Sequence, residues 1–199
     1  MPLTNPNRRM ILAGAAAALL PLPALGQSEA SAASYVQRVI DDVMGIINSG
    51  QSEAQVLRRF KRVFTSYADI NNIAQRVLGP PYRTLSPRQR RAFSDAYGNY
   101  LSGKYGRQFR EYQGATITIT RTTDLGGRKG VLVYSQVRQR GQSPFALDWQ
   151  VSNGSGQTKL VDLIIEGIQL VSTERSEMRA LLEAQRGDVD ALTAFLASA

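Results

Sequence analysis

The sequence predicts an α+β fold: N-terminal helices, a curved four-stranded antiparallel sheet, then C-terminal helices, an arrangement that can enclose a cavity. Three observations predict it. Apolar residues recur at helical spacing as far as Tyr112 and switch to strict alternation from Ala115. The alternating segments are short and are separated by glycine-rich turns. Helical spacing then returns near the C-terminus.

Each element follows from local chemistry. Val36, Val39, Ile40, Val43, Met44 and Ile47 make a helical stripe that Asn48-Ser49-Gly50 ends. Ser52 and Gln55 form a capping box for a second helix, with Val56, Leu57, Phe60, Val63, Phe64 and Tyr67 on its apolar face. Arg58, Arg59, Lys61 and Arg62 occupy its other side. A short helix over Ile70 to Leu78 stops at Gly79-Pro80-Pro81. A long helix opens at Ser86, with Pro87 at its first position and Gln89 as the reciprocal cap. Phe93, Tyr97, Tyr100, Leu101, Tyr105, Phe109 and Tyr112 mark its apolar face. Gly98, Gly103 and Gly106 interrupt it, each costing about 1 kcal/mol relative to alanine. Either a neighbour approaches its backbone closely or the helix bends there, or it breaks in two.

The strands come next. Ile117 and Ile119 alternate with threonines, and Asp124-Leu125-Gly126-Gly127 turns the chain. Val131, Val133 and Val137 alternate in the second strand, and polar residues from Gln139 lead to Pro144. Phe145, Leu147, Trp149 and Val151 share one face of the third. Asn153-Gly154-Ser155-Gly156 is a hairpin signal, and Leu160 to Ile165 is a fourth strand apolar enough for burial on both faces. Two short amphipathic helices, around Met178 to Gln185 and Val189 to Leu196, close the chain. With no internal repeat and no splitting linker, residues 27–199 read as a single domain.

Composition narrows the chemistry. Cysteine and histidine are both absent from the 199 residues. That removes disulfides, thiolate nucleophiles, the commonest general base and the commonest transition-metal ligand. The net charge is +8 and implies anionic partners or a solvated basic face.

The N-terminus reads as an export signal over residues 1–26. Arg8 and Arg9 form a charged region, Met10 to Leu20 is apolar, and Ala24-Leu25-Gly26 fits a small-x-small cleavage site. The apolar run is too short to span a bilayer core of about 30 Å. The paired arginines, followed by Met10-Ile11-Leu12, partly match a twin-arginine signal, and the general secretory route stays open beside it. Without them, 22 basic against 16 acidic residues leave +6. An exported address argues against nucleic acid as a partner.

No phosphate-loop, zincin, calcium-loop or nucleophile-elbow motif is present. Arg83, Arg88, Arg90 and Arg91 gather at the long helix's start, as an anion contact or a solvated cap. Asp162 and Glu166 sit in an apolar strand at spacing that places them on one face. They read as structural, a turn cap and a strand end, in preference to an acid–base pair.

The run Val161-Asp162-Leu163-Ile164-Ile165-Glu166-Gly167-Ile168-Gln169-Leu170-Val171 resembles the strand-end signature of the MlaC family, the toluene-tolerance type of periplasmic phospholipid-binding protein. Leu78-Gly79, Ser86-Pro87-x-Gln89-Arg90, Phe93, Tyr105-Gly106 and Tyr112-x-Gly114 agree in order and spacing, as do Arg175 to Leu182 and Gly187 to Leu196. The resemblance implies an NTF2-like fold with an apolar pocket between sheet and helices, bound phospholipid as cargo and no other cofactor, no metal and no catalytic residue. It implies a periplasmic carrier, docking transiently on an inner-membrane ABC transporter complex and an outer-membrane lipoprotein complex, that maintains outer-membrane lipid asymmetry. The candidate pocket wall, taken from pattern, is Phe93, Tyr97, Leu101, Tyr105, Ile117, Ile119, Val131, Val133, Phe145, Leu147, Trp149, Leu163 and Ile165. Two alternatives stand beside this: a hopanoid or other polycyclic lipid as cargo, and a small NTF2-like enzyme using Asp162 or Glu166 with a tyrosine.

Overall fold

A computed structural model describes residues 28–199. The export signal expected over 1–26 lies outside the described residues. Among the described residues, no helix is long and apolar enough to cross a membrane.

Among the described residues, six α-helices and five strands follow in the order α1 (Glu29–Ile47), α2 (Glu53–Tyr67), α3 (Ile70–Leu78), α4 (Pro87–Gln108), β1 (Thr116–Asp124), β2 (Val131–Arg138), β3 (Phe145–Ser152), β4 (Lys159–Ile165), β5 (Ile168–Gln169), α5 (Leu170–Ala184) and α6 (Val189–Ser198). The caps form where the sequence places them. Ser52 with Gln55 and Ser86 with Gln89 each complete a capping box. The long helix does not break at its glycines. A Cβ on Gly106 would lie 2.9 Å from Leu57 Cδ2, and one on Gly98 3.0 Å from Ile70 Cγ2, so both glycines admit neighbouring helices. A 3₁₀ turn, Phe109–Tyr112, follows α4.

The strands form one antiparallel meander in the order β1-β2-β3-β4-β5. The expected four strands are joined by a fifth. After the fourth strand, Glu166 (φ 50°) and Gly167 (φ 79°) turn the chain tightly enough for Ile168 and Gln169 to pair back on Ile165 and Ile164. The expected strand gave no sign of this two-residue partner because its pattern merges with α5. That helix begins at Leu170, eight residues before the expected Met178. Two bulges re-aim side chains. One near Thr120 in β1 lets Ile117 and Ile119 face the same side as Thr122. The other, at Val161 in β4, keeps Leu160 and Leu163 on the side of Val151 and Trp149.

Two cores result. In one, Val36, Val39 and Ile40 of α1 lie on Val131, Val133, Val137, Leu147, Trp149 and Val151 of the sheet. In the other, Phe93, Tyr97 and Leu101 of α4 pack with Ala74, Val77, Met178, Leu192 and Leu196 of the surrounding helices. Thus α1, not the long helix, covers the sheet. Chain between the cores is tied by the amide of Asp69, which donates to Leu160 O at 2.8 Å.

Candidate functional site

A cavity of about 950 Å³, counting its opening to solvent, lies between these two cores. The helix side is built by Val39, Ile40, Val43 and Met44 of α1 and by Phe60, Val63, Phe64 and Tyr67 of α2. Ile117, Val137, Phe145, Leu147, Trp149, Leu160, Leu163 and Ile165 form the sheet side. Tyr105, Phe109, Tyr112 and Leu170 complete it. No charged side chain is among these residues.

Aromatic rings line one side in a chain. Phe60 lies 5.2 Å from Phe109, Phe109 6.2 Å from Tyr112, and Tyr112 5.8 Å from Phe145, centroid to centroid. Such tilted contacts hold large apolar faces in place without filling the space in front of them. Ile165 is the one exposed residue of the lining, so the cavity reaches solvent beside it. Its cross-strand partner Ile168 is 64% exposed.

A smaller chamber of about 420 Å³, counting space open to solvent, shares Phe64, Tyr105, Leu160, Leu163 and Leu170 with the first and continues to Tyr97, Leu101 and Glu174. Here the wall becomes polar. Glu174 is buried and accepts hydrogen bonds from Lys104 Nζ at 2.8 Å, Tyr105 Oη at 2.5 Å and Tyr97 Oη at 3.4 Å. Burial and the Glu174 carboxylate push both tyrosines well above the ordinary phenol range, so they stay neutral donors. Glu177 accepts from Tyr100 and Lys104 alongside. Burial alone would raise Glu177, but those two donors outweigh it and hold its carboxyl below the usual value. This network is satisfied internally and closes the chamber's far end.

The structure brings Tyr105, Ile117, Phe145, Leu147, Trp149, Leu163 and Ile165 together on the main cavity, and Tyr97 and Leu101 on the smaller chamber. It places the other candidates elsewhere. Phe93 is fully buried among the helices, because α4 turns that end away from the sheet. Val131 and Val133 are fully buried under α1, and Ile119 packs against the same core. Alternation identifies an inward face, but part of that face is filled by a helix. The wall contributed by α1 and α2 was not among the candidates. The sequence places Val63, Phe64 and Tyr67 on the apolar face of the second helix, and packing leaves them only half-buried.

Asp162 and Glu166 do not share a site. Asp162 is buried, pairs with Arg76 at 3.2 Å and accepts from the amides of Leu163 (2.9 Å) and Val171 (3.0 Å). It therefore holds the start of α5. Glu166 sits exposed in the turn and accepts from the amide of Ala146. Arg90 donates to the carbonyls of Tyr82 (3.2 Å) and Arg83 (2.9 Å), tying down the turn before α4.

Comparison with known proteins gives a consistent result. A family model described as MlaC protein matches residues 37–198. The intermembrane phospholipid transport system binding protein MlaC of Haemophilus influenzae is 23% identical over 166 residues, covering 79% of this chain and 78% of that protein. Among solved structures, the phospholipid-binding protein from Ralstonia solanacearum, in complex with a phospholipid, superposes with a TM-score of 0.70 at 24% identity. The match covers 83% of this chain and 94% of that one, and shows the same mixed helix-and-sheet fold.

Proposed function

Because the chain belongs to the MlaC family, we propose that it is a phospholipid carrier whose cargo occupies the cavity between α1, α2 and the sheet. It moves phospholipid through the periplasm between an outer-membrane lipoprotein complex and an inner-membrane ABC transporter complex, and so maintains outer-membrane lipid asymmetry. It acts by binding and release, not by catalysis.

The observation that carries this is the cavity's lining: apolar on every side, without a charge, and open at Ile165. Burying hydrocarbon stabilises by about 0.8 kcal/mol per CH₂, so acyl chains alone can hold a lipid through water. A headgroup has no charged partner inside and is left at the opening. Release requires a state of the protein, or a partner, that binds the chains less tightly.

Native mass spectrometry of protein purified from the exported fraction tests the proposal. An excess mass that extraction identifies as phospholipid supports it. A polycyclic lipid would keep the carrier and change the cargo. A clean apo mass that liposomes do not alter would overturn it.

A further inference from the structure

A groove of about 1130 Å³, counting the space open to solvent, runs between α3, the turn after it, the start of α5 and the turn between β1 and β2. Arg76, Arg83, Arg128 and Arg175 line it, with Asn72 and Gln75 between them and no acidic residue. The four guanidiniums come from four separate segments. Arg76 is committed to Asp162, and Arg128 donates to Gly154 O at 3.0 Å. Among the described residues, Arg83, Arg128 and Arg175 have no ion-pair partner. Holding like charges around one recess costs free energy unless an anion neutralises them.

We propose that this groove docks a carboxylate-rich segment of a partner protein. Charge complementarity selects an anion, and shape selects a chain. A bilayer surface is flat, whereas an extended acidic segment can run along a groove bordered by arginines from four segments of the chain. Guanidiniums suit carboxylates because their paired N–H groups match two oxygens. The side-chain carbonyls of Asn72 and Gln75 add acceptors for the N–H groups of a peptide backbone. One ion pair links the groove to the cargo site: Arg76, which lines the groove, pairs with Asp162, which lines the smaller chamber. The identity of the partner as a transport complex rests on the carrier proposal; the binding itself does not.

The test is fluorescence anisotropy with a fluorescein-labelled oligoglutamate peptide at physiological ionic strength. The double variant Arg83→Gln/Arg175→Gln is expected to bind about tenfold or more weakly, the scale of two charge-assisted contacts. The control Arg58→Gln/Arg62→Gln removes the same charge from α2 and is expected to change binding by no more than about twofold. Arg83→Gln alone, at an exposed side chain with no ion-pair partner among the described residues, gives a second variant whose melting should match the parent. Equal weakening by groove and control variants would overturn the proposal, because only net charge would then matter. So would failure of the peptide to bind while phosphatidylglycerol vesicles bind in a manner dependent on Arg83 and Arg175. Protein found empty of lipid would defeat the carrier proposal and leave these peptide results standing.

Discussion

Trp149 Nε1 donates a hydrogen bond of 3.0 Å to Ser135 Oγ, which is buried on the neighbouring strand and itself donates to Leu147 O. The bond anchors the ring of the chain's single tryptophan in the cavity wall. Ser135→Ala leaves a buried indole N–H without an acceptor. It should cost about 1–3 kcal/mol in chemical denaturation. Removing cargo from the parent protein should shift the tryptophan emission, because the ring then faces water in place of hydrocarbon. Unaltered emission after lipid extraction would place the cargo elsewhere.

A charge on the cavity wall separates binding from folding. Ile117 lies half-buried on the outermost strand, so Ile117→Arg should let the guanidinium reach water while blocking the cavity. The variant should melt near the parent and carry less lipid by mass spectrometry. Trp149, 4% exposed, has no such exit, and Trp149→Arg should cost at least about 3–5 kcal/mol or prevent folding. Full lipid occupancy in Ile117→Arg would show that this wall is not the binding wall.

Two glycines of α4 should respond in opposite directions. A side chain at Gly106 would meet Leu57 at 2.9 Å and Phe60 at 3.1 Å, so Gly106→Val should destabilise by about 1–3 kcal/mol and press Phe60 toward the cargo. Gly103 has only the tip of Arg107 at 3.7 Å, and Gly103→Ala should stabilise by about 0.5–1 kcal/mol. Thermal melts of the two variants check the pair.

Alkaline pH should unfold the protein through its tyrosines. Burial, with the nearby Tyr67, raises Tyr35 to about 12, and burial with the Glu177 hydrogen bond raises Tyr100 to about 12. The unfolded chain releases these protons near pH 10. Above that pH the folded protein still holds protons that the unfolded chain has lost, so stability is complete below about pH 10 and falls toward pH 12. Tyr35→Phe should flatten this decline. It also removes the 2.8 Å hydrogen bond to Tyr67 O, so its stability at pH 8 should drop. Denaturant midpoints across this range give both effects.

The sequence alone determined the first four helices and four of the strands, because their causes are local, but not the two-residue β5 or the early start of α5. Ser86, Pro87 and Gln89 start a helix wherever they stand, and Asn153 to Gly156 turn a chain between two alternating runs. It determined an inward sheet face, since alternation puts Phe145, Leu147 and Trp149 on one side. Tertiary structure alone decided which part of that face stays open. Val131 and Leu147 follow the same pattern, yet α1 fills the space in front of the first and leaves room before the second. Only the packing of α4 among α3, α5 and α6 withdrew Phe93 from the sheet and left Val63, Phe64 and Tyr67 of α2 facing the gap. A cavity is a place where packing stops, and stopping is a relation among distant residues that no local spacing encodes.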